Sequence, residues 1–298
     1  ATDLGPLLTG RAVQAAGGAV AVTAALELMA VTLGSDRRAV ATWVGAGAVG
    51  AAVGPGLGGV LTELVSWQSI FLIQVPVAIL AGVPLREIIV AETREWKVPD
   101  QDPVTNSRPH LPANIALGLV SAAIAATLFL IVLLLIEGWR LTPIEAAIVV
   151  TVLPISALLG SRLGRSIDSV RLRAASGAIL LGGGLAALGL LPDASVAYVI
   201  PPQIPAGAGL ALVLSALTEA ALSGRSAAAV HGGWTIAARH AGVVLGLLIL
   251  TPIFTHQLDV QRDEALDAGT AILLESSIDP SEKLALAARV SDEVAGQG

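Results

Sequence analysis

The chain contains no cysteine, so no disulfide braces it and no thiolate is there to ligate a metal or attack a substrate. Charge is also scarce. Asp, Glu, Lys and Arg make up 13% of the 298 residues, about half of the roughly 25% that a soluble domain carries. The formal net charge of −6 argues against a broad basic surface, so a nucleic-acid partner is not expected. Aromatic residues are just 3%, which leaves no stacking pattern from which to read a substrate. No His, Asp and Glu group has metal-ligand spacing and no serine–histidine arrangement suggests a hydrolase. No metal, no cofactor and no enzymatic activity are expected. Apolar residues are what the chain has: 54% hydrophobic, with a mean hydropathy of +0.79.

A helix crossing the bilayer needs about 20 mainly apolar residues, and eight runs qualify. They are Leu4–Leu33, Ala39–Leu61, Leu64–Leu85, Leu111–Ile136, Leu141–Ser161, Ala174–Leu191, Ala194–Leu217 and Ala227–Thr255. Buried soluble helices reach this hydropathy once or twice in a chain, not eight times in succession. The positive-inside rule tests the assignment independently. Alternate connections hold Arg37, Arg38, Arg86, Arg94, Lys97, Arg108, Arg162, Arg165, Arg171, Arg173 and Arg225, whereas the other connections hold Arg140 alone. The first helix therefore runs inward and the eighth outward. The expected fold is an all-α polytopic membrane protein of about eight transmembrane helices, multi-pass in the plasma membrane, with the lipid bilayer as its solvent. The first apolar run is too long, and lacks the preceding basic segment, for a cleaved signal peptide.

Two polar stretches divide the chain. Residues 86–110 read as a cytoplasmic linker, since Pro99, Pro103 and Pro109 discourage a continuous helix. Residues 1–85 then supply three membrane helices and 111–255 supply five. Residues 256–298 read as a polar tail of two amphipathic helices, the second starting at Asp279-Pro280-Ser281-Glu282.

The stretch GAGAVGAAVGPGLGG, residues 45–59, is the densest in glycine. Gly45 to Gly50 spells the dinucleotide fingerprint G-x-G-x-x-G, with Glu63 in place of the downstream acid. That fingerprint needs a strand before it and a βαβ unit around it, but Pro55 follows within two turns and no such alternation exists. Gly50, Gly54 and Gly58 instead recur every fourth residue, which strips one helix face of side chains and suits close helix packing. Pro55 removes a backbone donor from the same helix.

The fuller pattern Gly50-x-x-x-Gly54-Pro55-x-x-Gly58-Gly59 resembles the antiporter motif in the fifth helix of drug:proton antiporters of the major facilitator superfamily. Trp67-Gln68-Ser69-Ile70-Phe71-Leu72-Ile73-Gln74-Val75-Pro76 is similar to that family's W-r-x-i-F-l-i-n-v-P entry to the sixth helix, with Gln74 where the family has asparagine. Leu7-x-x-x-Arg11-x-x-Gln14-x-x-Gly17 resembles its fourth-helix motif, with Ala15 in place of a glycine. Gly160-Ser161-Arg162-Leu163-Gly164-Arg165-x-x-Asp168 resembles the basic cytoplasmic loop motif, and Arg239-His240-Ala241-Gly242-x-x-x-Gly246 the eleventh helix. The resemblance implies an incomplete helical bundle covering helices four to eleven of twelve, a fragment or truncated product whose partners include the missing helices. It implies alternating-access export of a small hydrophobic or amphiphilic substrate in exchange for protons. Arg11 and Gln14 would then take part in proton coupling, and Gly50, Gly54, Pro55, Gly58 and Gly59 would shape the contact on which the halves rock. A solute:proton symporter of the same fold, or an inactive remnant, are the alternatives.

Charges at membrane depth are costly and mark function. Arg11 either snorkels to the outer interface or tunes a neighbouring carboxylate. Glu27 lies about 24 Å further along the helix at 1.5 Å per residue, so it cannot pair with Arg11. It reads as an interfacial residue, or alternatively as a buried carboxylate of raised pKa. Arg239 is expected to face the bundle interior or a watery cavity, with Glu219 the nearest partner in sequence. His240 either packs through a hydrogen bond or titrates near neutral pH.

Overall fold

A computed structural model of the chain describes residues 4–34, 36–82, 108–164, 166–222 and 228–275, together with residues 279 and 286. Every regular element among the described residues is a helix, and no strand occurs among them. In chain order the elements are α1 (Leu4–Leu33), α2 (Asp36–Leu64), α3 (Ser69–Leu72), α4 (residues 74–82), α5 (Leu111–Leu133), α6 (Pro143–Gly164), α7 (Val170–Leu188), α8 (Val196–Leu222) and α9 (Ala228–Glu275). Gly45 to Gly50 lies inside α2, which removes the strand-and-loop setting that a nucleotide fingerprint requires.

Five stretches are long and apolar enough to cross a membrane: Gly45–Leu64, Leu111–Gly138, Pro143–Gly164, Val196–Leu222 and Val230–Ile272. The protein is a multi-pass membrane protein, an all-α helical bundle. Its exterior agrees with a lipid solvent. Val13, Val20, Leu72, Leu119 and Ile179 are each more than 60% exposed, and so many bare aliphatic side chains would drive aggregation in water.

The third apolar run is shorter than its sequence suggests. Residues 65–68 form a turn that Ser69 closes, its hydroxyl donating to the carbonyls of Leu61 (3.0 Å) and Ser66 (2.5 Å). Helix then resumes as α3 and α4. Most of the linker, residues 83–107, lies outside the described residues, as does the helix start at Asp279-Pro280-Ser281-Glu282 apart from Asp279 itself. The boundary placed after residue 255 falls within α9.

Helix starts follow ordinary capping chemistry. The His110 imidazole accepts the Ala113 N–H at 3.2 Å to open α5, and Ser169 accepts the Leu172 N–H at 3.3 Å to open α7. Thr142 and Glu145 form a reciprocal box at α6: each side chain accepts the other's backbone N–H, at 3.3 and 2.9 Å. α5 ends in one widened turn, Leu134–Gly138, and Arg140 in the following turn has φ 55°.

Two compact units divide the chain, Ala1–Val243 and Val244–Gly298. The first holds a glycine-dependent core in which α8 lies between α6 and α7. A methyl on Gly160 would sit 2.6 Å from Ala208 Cα, one on Gly177 2.6 Å from Val213 N, and one on Gly184 2.7 Å from Ala206 N. The pairings 160 with 208 and 164 with 212 make α6 and α8 parallel. The pairings 177 with 213 and 184 with 206 make α7 antiparallel to α8. α5 is also antiparallel to α8, because Ala113 and Leu117 cluster with Ala221 whereas Ile131 and Leu135 cluster with Val199. Without a hydrophobic driving force between helices in lipid, such backbone proximity is what binds them. Gly177→Leu is therefore expected to lower stability by about 3 kcal/mol or more, read as a lower melting temperature in detergent; an unchanged melting temperature would contradict this packing. In the second unit α9 is largely exposed, apolar from Val244 to Phe254 and polar beyond, where Gln261 Nε2 donates to Glu264 Oε2 at 3.1 Å.

Candidate functional site

The residues singled out by sequence fall at two places in the first unit. One is a recess of about 520 Å³ lined by Arg11, Ala12, Gln14, Ala15 and Gln74. Arg11 and Gln14 are one turn apart on α1, and the Arg11 guanidinium donates to Gln14 Oε1 at 2.7 Å. Gln14 Nε2 donates in turn to Gln74 Oε1 on α4. Gln74 Nε2 donates to the Ile70 carbonyl at 3.0 Å. A guanidinium can only donate and a carbonyl can only accept, so the direction of every link in this chain is determined. The guanidinium carbon also lies 5.1 Å from the Phe71 ring centroid, within cation–π range. Trp67 packs edge-on against Phe71 with centroids 6.1 Å apart. Arg11 therefore carries its charge toward polar and aromatic groups, and among the described residues no carboxylate lines the recess. Gln74 joins the site without having been singled out by sequence; its signal was the amide at the asparagine position of the sixth-helix pattern.

The second place is the contact between α2 and α6. A methyl on Gly59 would stand 2.6 Å from Ala147 Cβ and 2.7 Å from the Pro143 carbonyl oxygen, so here the two backbones meet. At Gly50, Gly54 and Gly58 the same methyl would meet nothing within 4 Å among the described residues. Pro55 lies inside α2 and does not end it. One turn beyond Gly59, Glu63 Oε2 accepts the Ile144 N–H at 2.9 Å. Sequence had offered Glu63 only as a candidate nucleotide acid.

Arg239 and His240 belong to neither place. The Glu27 side chain lies outside what the structure describes, although its backbone belongs to α1. Arg239 is half-buried on α9 and makes no hydrogen bond or ion pair among the described residues. Glu219 pairs with Arg173 across α7 and α8 instead of with Arg239, since α8 presents its C-terminal turn to the start of α7. His240 is exposed and its Nδ1 donates to the Ile236 carbonyl at 2.9 Å. Close beside them, the α5 and α9 backbones touch at Gly118 and Gly242.

The model of the Major Facilitator Superfamily matches residues 1–251. The chain belongs to the major facilitator superfamily. That membership places it among transporters, not enzymes. The methylenomycin A resistance protein of Bacillus subtilis (strain 168) is 34% identical over 121 residues, 40% of this chain and 25% of that protein. MdtD of Salmonella typhimurium (strain LT2), a protein named for multidrug resistance, is 37% identical over 101 residues, 32% of this chain and 22% of its own. MdtD of Escherichia coli O1:K1 is 42% identical over 82 residues, 27% and 17% of the two chains. The superfamily chain thus aligns with a quarter or less of the length of these relatives. No solved structure matches it.

Proposed function

We propose that the chain belongs to a drug:proton antiporter, one that exports a small hydrophobic or amphiphilic compound while admitting protons by alternating access. The observation that carries this reading is the α2–α6 contact at Gly59. It supports the reading because a helix with a glycine-proline pattern meets α6 there, and a carrier of two halves would rock at such a contact. Relatives named for resistance to methylenomycin A and to multiple drugs support export as the direction. Arg11 enters this reading as a cation and hydrogen-bond donor beside Gln14. Its part is to lower the proton affinity of a carboxylate that the full-length protein presents to the recess, with Gln14 orienting the guanidinium.

The test uses the full-length protein in vesicles carrying a preformed proton gradient. Adding a transported compound is expected to dissipate that gradient, with protons moving against the compound. Protons moving with the compound would assign symport, and no movement of either would mark an inactive product.

A further inference from the structure

Glu63 stands just past the glycine-proline pattern and ends α2 at its contact with α6. Its partner, the Ile144 N–H, lies in the first turn of α6, where helix donors have no acceptor within the helix. The same turn is otherwise supplied from its own chain: Thr142 and Glu145 cap each other, and Pro143 has no N–H. α6 therefore starts without help from α2, and the bond from Glu63 adds a link between two helices. The geometry favours it. Gly59 lets the backbones approach, the carboxylate then reaches the donor at 2.9 Å, and it sits on the positive end of α6.

Antiparallel packing puts this link at the end opposite Arg38, Arg108, Arg162, Arg171 and Arg173 and beside Arg140, which positive-inside counting makes the outer end. At the other end the helices before and after the linker also meet, but there Leu26 of α1 rests on Gly232 of α9 through apolar contact.

We propose that Glu63 is a positioning residue of the transport cycle: its bond to α6 holds the two halves together at the outer end and breaks when that end opens. The proposal rests on the alternating-access reading above. In the opened state both the carboxylate and the N–H are hydrated, so the bond sets the ratio of closed to open forms without locking either.

The test places spin labels at V65C and L190C, two exposed positions at this end, one beside the end of α2 and one in the turn between α7 and α8. In the full-length protein in proteoliposomes, E63L is expected to raise the ratio of long- to short-distance populations about tenfold, the equilibrium effect of one hydrogen bond to a charged group. E63A is expected to match it and serves if E63L inserts poorly. E63Q keeps an oxygen acceptor for the Ile144 N–H but loses the charge, and is expected to fall between the unsubstituted protein and E63A. Distances in E63L or E63A identical to those of the unsubstituted protein overturn the proposal, as does E63Q behaving like E63A. Absence of proton-driven export by the unsubstituted protein would instead remove the antiport reading and leave these distances as they are.

Discussion

Gly59→Leu in the full-length protein is expected to abolish export while the protein still inserts into the membrane. The first added carbon already overlaps Ala147 Cβ at 2.6 Å and the Pro143 carbonyl at 2.7 Å, and both belong to the first turns of α6. No rotamer of leucine avoids backbone, so α2 and α6 must separate. The same overlap begins with alanine. Gly59→Ala is therefore expected to reduce export more than Gly54→Ala, whose methyl enters open space. Drug accumulation in cells, normalised to the amount of protein in the membrane fraction, reads both comparisons. Equal export by Gly59→Leu and the unsubstituted protein, or a larger loss from Gly54→Ala than from Gly59→Ala, would contradict the seam described here.

Arg11→Ala is expected to lower proton-driven export on the order of a hundredfold and to leave the melting temperature in detergent almost unchanged. The guanidinium is exposed, and its partners are a glutamine amide and a ring face, so little stability depends on it. Removing it withdraws the cation that, in the proposed reading, favours the ionised form of a carboxylate brought to the recess by the full-length protein, and a hundredfold corresponds to about 2.7 kcal/mol of that effect. Arg11→Lys is expected to restore only part of the activity. An ammonium keeps the charge but lacks the planar fork that bonds Gln14 while lying over Phe71. Full pH-driven export by Arg11→Ala would remove this residue from proton coupling.

Much of the fold is legible in the hydropathy of the chain. The run Leu111–Ile136 becomes α5 and its widened last turn, Leu141–Ser161 becomes α6, and Ala194–Leu217 becomes α8, each within a few residues. Length and apolarity decide these elements because lipid leaves a backbone no alternative to helix. Proline did not interrupt them: Pro154 and the trio Pro201, Pro202 and Pro205 all lie inside helices.

The site was less legible, for a geometric reason. Four-residue glycine spacing identifies a bare face of α2, but it does not say on which side of α2 the neighbour lies. The structure brings α6 to Gly59, next to that face, and so the close contact falls on a residue outside the i, i+4 series. Glu63 was hidden because its partner is a backbone N–H, 81 positions away, that no side-chain pattern reports. The capping box at Thr142 and Glu145 was the available signal for a helix start there. The Arg11–Gln14 pair could be read as one turn of a helix, whereas the continuation through Gln74 required knowing that α4 folds back beside α1.

The whole account requires helices that cross a bilayer in alternating directions with their arginine-bearing ends on one side. Because residues 1–298 contain no cysteine, single thiols introduced at exposed Ser166 and Ala194 report this directly in the full-length protein. A membrane-impermeant maleimide added to intact cells is expected to label A194C, and to label S166C only after the membrane is permeabilised. Labelling of both from outside, or of S166C alone, would contradict it.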